Sequence, residues 1–128
     1  GLYKKKLVSI TKKGKSGAEE IKAMMERFRN NPPATLGGSK VMMLKDYQLQ
    51  KQTDIADGSI TAIELPKSDV LQFLLEDGSI ISARPSGTEP KIKFYCSVKT
   101  TLEDKLKFEE TELEMDAKVD AIMKELEV

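Results

Sequence analysis

The 128-residue sequence predicts an α+β fold, a small antiparallel β-sheet of about four strands with two helices packed on one face. Three observations predict it. Apolar stripes at helical spacing lie near both ends of the chain. Between them, Asp77-Gly78 separates two apolar runs, as in a β-hairpin. Residues 92–98 then alternate apolar and polar, the period of a half-buried strand.

The elements follow in order. Leu7–Ile10 has the look of a strand, and Gly14-Lys15-Ser16 follows it, which imitates a nucleotide-binding P-loop. That motif needs a glycine five positions before Gly14, where this chain has Ser9, so a P-loop is excluded. Ser16-Gly17-Ala18-Glu19 fits a capping box, in which hydroxyl and carboxylate satisfy two free amides at a helix start. Ile21, Met24, Met25 and Phe28 make one apolar stripe, read as core, and Asn30-Asn31-Pro32-Pro33 stops the helix. After Gly37-Gly38, Val41–Leu44 continuing toward Tyr47 reads as a strand, and 48–59 as an irregular polar loop turning at Asp57-Gly58. Ile60–Leu65 reads as another short strand, and Val70–Leu75 with Ile80–Ala83 as the hairpin. Both central turn positions of that hairpin are expected at positive φ. Ile92, Phe94, Cys96 and Val98 form the buried side of the next strand, with Cys96 a packed thiol. Met115, Val119, Ile122 and Leu126 mark a last helix that starts between 104 and 111.

Composition removes several kinds of chemistry. There is no histidine, so imidazole bases, histidine ligands and phosphohistidine are absent. One cysteine rules out an intramolecular disulfide or a cysteine zinc site. Asp54, Asp57 and Asp77 form no dense metal-binding cluster, and turn chemistry accounts for those that precede glycine. No apolar run approaches the roughly 20 residues of a membrane span, and no signal peptide is visible, so the cytoplasm is the expected compartment. The chain opens Gly-Leu-Tyr without methionine and is expected to be a piece of a larger protein. Its 21 basic and 21 acidic residues balance but are unevenly placed. Residues 1–15 hold Lys4, Lys5, Lys6, Lys12, Lys13 and Lys15 and no acid. A basic arm can bind nucleic acid, but this one has a single aromatic and no basic stripe follows it, so it reads as a solvated linker.

The informative segment is Ala83-Arg84-Pro85-Ser86-Gly87-Thr88-Glu89-Pro90-Lys91-Ile92-Lys93. A glycine at the centre of a tight loop lets successive amides converge into an anion-binding concavity. Ser86 and Thr88 add hydroxyl donors, and Arg84 supplies a planar fork matching two phosphate oxygens. Lys93 adds charge from the following strand, and flanking prolines stiffen the loop. Glu89 is expected to point away or to pair with a lysine. The residues alone leave a plain hairpin connection open as the other reading.

Arg-Pro-Ser-Gly-Thr-Glu-Pro-Lys-Ile-Lys at 84–93 resembles the phosphate-binding loop in the C-terminal, fourth domain of the α-D-phosphohexomutases, the phosphoglucomutase/phosphomannomutase family. Gly-Leu-Tyr-Lys-Lys-Lys-Leu-Val-Ser-Ile resembles the linker entering that domain, and the resemblance extends over essentially the whole chain. It implies a TATA-binding-protein-like fold, with 1–15 a basic arm from a preceding domain and 16–128 the phosphate-binding domain. It implies a phosphosugar substrate and three further domains in the parent chain as partners, with neither nucleic acid nor membrane. In that parent enzyme, an isomerase acting by intramolecular phosphoryl transfer, Mg2+ assists a phosphoserine that interconverts sugar 1-phosphate and 6-phosphate. The serine and metal loops are missing here, so the resemblance implies no catalytic residue, no metal site and no activity of this chain alone. Arg84, Ser86, Gly87, Thr88 and Lys93 carry over as the phosphate cradle. The competing function is a free-standing module that binds phosphorylated ligands or partners without catalysis.

Overall fold

The computed structural model describes residues 2–14, 16–100 and 108–128. Its elements run β1 (Leu2–Thr11), α1 (Gly17–Asn30), β2 (Thr35–Leu36), β3 (Ser39–Asp46), β4 (Lys51–Asp54), β5 (Ile60–Ala62), β6 (Leu71–Leu75), β7 (Ile80–Pro85), β8 (Lys91–Thr100) and α2 (Phe108–Glu125). Residues 104–107, within the range expected for the start of the last helix, lie outside the described residues.

The fold is α+β, but the sheet has eight strands rather than about four. Their order is β1-β8-β7-β6-β3-β4-β5, with β2 pairing β3 off that path. All these pairings are antiparallel. Lys51–Asp54, within the stretch 48–59 expected as an irregular loop, is a strand without a periodic signal: Lys-Gln-Thr-Asp, half-buried throughout. The strand expected at Ile60–Leu65 forms over Ile60–Ala62 only and is exposed at every position. The basic segment expected as an arm pairs along its whole strand with β8, from Leu2 opposite Thr100 to Thr11 opposite Lys91. Its lysines on the helix-covered face meet acids of α2: Lys6 Nζ donates to Asp116 Oδ1 at 2.7 Å, and Lys4 to Glu112. The Asp116 hydrogen bond raises the Lys6 pKa above its ordinary value.

The core lies between the two helices and one face of the sheet. Ile21, Met24, Met25 and Phe28 of α1 are all buried, as are Met115, Val119 and Ile122 of α2 and Leu126 just beyond it. Phe28 meets Phe73 and Phe94 edge-on at ring-centre distances of 5.8 and 6.2 Å, a favoured aromatic geometry. Ile92, Phe94, Cys96 and Val98 face this core. Burial pushes the Cys96 thiol up to about 11, which keeps it neutral and inert.

Two local expectations are corrected. Ser16 is the N-cap of α1, but its φ of −82° and ψ of −7° are helical and its side chain makes no capping bond. The entry is instead held by Gly17 N–H donating to Gly14 carbonyl oxygen at 3.1 Å. In the β6–β7 turn only Gly78 has positive φ, at 92°. Asp77 turns the chain with its carboxylate, which accepts the Ser79 N–H at 2.8 Å and an Nζ–H of Lys118 at 2.5 Å. Burial pushes the Asp77 carboxyl upward, but Lys118 and the Ser79 amide outweigh it, and its pKa lies below the ordinary value.

Candidate functional site

Strands β7 and β8 present alternate residues to opposite faces of the sheet, since side chains along a strand have period two. Ala83, Ile92 and Phe94 are wholly buried under the helices. Arg84 stands directly opposite Lys93, and Lys91 lies two residues before it, on the face the helices leave open. The loop 86–90 closes this pair of strands at one end.

The loop is organised by Ser86. Its N–H donates to Lys91 carbonyl oxygen at 2.8 Å. Its Oγ accepts the N–H groups of Thr88 and Glu89 at 3.3 and 3.2 Å. These two amides converge on one oxygen, and the long distances make both bonds weak. The Gly87 amide has no acceptor among the described residues. Gly87 does not have a positive φ, and the Ser86 side chain rather than a left-handed glycine makes the turn. A Cβ at Gly87 would meet nothing within 4 Å, so the loop tip is open.

Helix α1 backs this loop closely. A Cβ on Gly17 would lie 2.7 Å from Lys12 carbonyl oxygen and 2.9 Å from Pro90 Cβ. The Lys12 N–H donates to Pro90 carbonyl oxygen at 2.8 Å, tying the loop to the end of β1. Gly17 therefore belongs to the support of the loop rather than to a capping box. The spacing of the sequence held no signal for that contact.

A cavity of about 400 Å³ opens at this end of the sheet. Arg84, Ser86, Gly87 and Lys93 of the predicted set line it, joined by Lys91, Tyr95 and Glu89. Thr88 lines a smaller cavity of about 160 Å³ on the side toward Ala18 and Ile21. Glu89 does not point away as expected; it lines both cavities and pairs with no described cation. Arg84, Lys91 and Lys93 likewise have no carboxylate partner among the described residues. Three cations without carboxylate partners among the described residues, and one carboxylate, Glu89, thus line the cavity together with the Ser86 hydroxyl and Gly87. The cations, the hydroxyl and the glycine amide are a donor set for a multiply charged oxyanion.

Among the described residues no group of three or more carboxylate or thiol side chains could hold a divalent metal. Asp54 and Asp57 each spend a carboxylate oxygen on backbone amides of their own turn, and Asp77 is also held by Lys118. No described helix is long and apolar enough to cross a membrane.

The family model described as phosphoglucomutase/phosphomannomutase, C-terminal domain, matches residues 11–115. A phosphoglucomutase of Staphylococcus haemolyticus is 40% identical over 98 residues, covering 77% of this chain and 18% of that protein. A phosphoglucomutase of Staphylococcus epidermidis is 39% identical over 98 residues, and one of Staphylococcus aureus 40% over 99, with the same coverage. The chain spans about a fifth of the length of these curated relatives, 18% in each case.

Proposed function

Because the chain belongs to the phosphoglucomutase/phosphomannomutase C-terminal domain family, we propose that it is the substrate-phosphate-binding domain of a phosphohexomutase. That enzyme would interconvert sugar 1-phosphate and 6-phosphate by intramolecular phosphoryl transfer. The observation that carries the reading is the trio Arg84, Lys91 and Lys93, unpaired around an open loop whose amides converge on one oxygen.

The chemistry assigned to each residue is binding, orientation and charge compensation. The Arg84 guanidinium takes two oxygens of the phosphate that is not reacting, through its planar fork. Ser86 donates its hydroxyl proton, its oxygen having accepted the two loop amides. Gly87 offers its N–H, and Thr88 adds its hydroxyl from the far side of the loop. Lys93, opposite Arg84, and Lys91 balance the dianion as point charges. Holding one phosphate fixes where the other end of the sugar lies, which lowers the entropic cost of reaction there.

The reacting phosphoryl carrier and the Mg2+ of the parent enzyme are assigned to other parts of its chain. The other domains of that chain and a phosphosugar are the partners, and the cytoplasm is the compartment. Residues 1–15 are proposed as the arm that enters from a preceding domain, adding its strand to the sheet on arrival. The central strands β8, β7, β6 and β3 with the two helices are proposed as the TATA-binding-protein-like unit.

The reading makes the isolated 128-residue chain a binder without turnover. Incubated with glucose 1-phosphate or mannose 1-phosphate, Mg2+ and a bisphosphate primer, it should form no 6-phosphate. It should still bind phosphate at about millimolar strength, roughly −4 kcal/mol, as a site lacking its closing domains. Sustained turnover by the pure chain, or phosphate affinity untouched by Arg84→Ala, overturns the proposal.

A further inference from the structure

The open face continues past the phosphate loop. Two residues beyond Lys93 on β8 stands Tyr95, and its pairing partner on β7 is Ser82, two residues before Arg84. The strands are antiparallel, so both steps lead the same way, roughly 7 Å from the cations at about 3.4 Å per residue. The row extends across the sheet: Leu7 pairs Tyr95 on one side, and Gln72 pairs Ser82 on the other. A second cavity of about 560 Å³ lies over this row, lined by Lys5, Leu7, Gln72, Ile80, Ser82 and Tyr95 among others. Tyr95 lines both cavities, so the two adjoin at its side chain.

The second cavity is built differently from the first. Tyr47 Oη donates to Gln72 Oε1 at 2.7 Å, and Gln72 Nε2 donates to Ser82 Oγ at 3.0 Å. This chain ends on Ser82, whose own proton is still to be donated. Beside it lie the exposed ring of Tyr95 and the exposed side chain of Leu7. A hydrogen-bond chain on a solvent-facing surface adds little stability, because water replaces it at nearly equal cost. What it does is fix the direction of the terminal hydroxyl. An aligned hydroxyl next to a flat apolar ring suits a sugar, which offers hydroxyls at its edge and C–H groups on its faces.

We propose that Ser82, Gln72 and Tyr95 form a subsite for the sugar body of the phosphorylated ligand, one sheet row from the loop that holds its phosphate. The subsite rests on the phosphate reading of the loop. Ser82 and Tyr95 touch the sugar, and Gln72 acts through Ser82 as a positioning residue.

The test compares two phosphate monoesters on the isotopically labelled 128-residue chain by NMR titration. Ethyl phosphate carries the charge and no hydroxyl; glucose 6-phosphate carries both. Both should shift the amides of 86–89, whereas only glucose 6-phosphate should move the Gln72 side-chain amide and the Ser82 and Tyr95 amides. Glucose 6-phosphate should bind several-fold tighter than ethyl phosphate. Ser82→Ala and Gln72→Leu should each cut that advantage by roughly three- to tenfold, the worth of one neutral hydrogen bond. Ser82→Thr keeps a hydroxyl on the same face and should restore it, which loss of folding would not allow. Equal affinity for the two esters with a still Gln72 amide overturns the subsite and leaves the phosphate site standing. A titration in which neither ester shifts 84–93 overturns the phosphate reading instead.

Discussion

Strand β8 carries two opposed surfaces on one backbone. Ile92, Phe94, Cys96 and Val98 lie buried under the helices, while Lys91, Lys93 and Tyr95 line the open face. Charge is treated differently on the two sides. Lys4 and Lys6, on the covered face of β1, are paired with acids of α2. Arg84, Lys91 and Lys93, on the open face, are left without carboxylate partners among the described residues. The contrast separates cations that brace the fold from cations left without an acid: sequence counts both as basic, and only the face tells them apart.

Substitutions on the two faces should therefore separate stability from binding. Phe28→Ala removes the ring that meets Phe73 and Phe94. It should cost about 3–5 kcal/mol in urea unfolding, and Ile122→Ala about 2–5 kcal/mol. A loss below about 0.5 kcal/mol at either place would mean that the covered face is not the core. Arg84→Ala should leave unfolding within about 0.5 kcal/mol of the parent. Calorimetry should nevertheless find phosphate binding weaker by about 1.5–3 kcal/mol, the worth of a charge-assisted contact. Arg84→Lys should recover little, because a point charge cannot reproduce the fork.

Smaller effects sharpen the same contrast. The folded Cys96 pKa of about 11 lies above the ordinary thiol value of 9.0. The folded state then binds more protons between these limits, so stability is full below about pH 9 and declines as pH rises toward about 11. Urea unfolding at about pH 8 and about pH 10 should differ by on the order of 1 kcal/mol, a difference that Cys96→Ala removes. Ser16→Ala should change stability by less than about 0.3 kcal/mol, against the usual ~1 kcal/mol of a bonded N-cap. A loss of that larger size would restore the capping box.

The parts legible in the sequence are those whose side chains must sort between two environments. The stripe from Ile21 to Phe28 and the alternation from Ile92 to Val98 are such cases, and each lies where periodicity put it. The Arg84–Lys93 segment stood out because its residue types are chemically specific, and it lies where a connection between two strands was expected. Leu7–Ile10 looked like a strand, but the first half of β1 was obscured because Lys4 and Lys6 stand at inward positions, and their α2 partners are 108 and 110 residues away in sequence. Strand β4 buries no face strongly, so nothing in its pattern marks it, whereas the apolar residues of Ile60–Leu65 marked β5 although its three residues are exposed. Lys91, Tyr95 and Gly17 escaped notice for a related reason. Their roles come from cross-strand register and from the approach of α1 to Pro90, which are tertiary facts. Counting two residues outward from Lys93 would have found the first two.

The central claim is that the open-face loop, and not the basic strand β1, holds the anion. Titrating the isotopically labelled chain with inorganic phosphate and following every backbone amide tests it most directly. The account predicts saturable shifts confined to residues 84–93 and to the residues of α1 that back the loop, abolished by Arg84→Ala. Shifts that follow Lys4, Lys5 and Lys6 and spare 84–93 would contradict it.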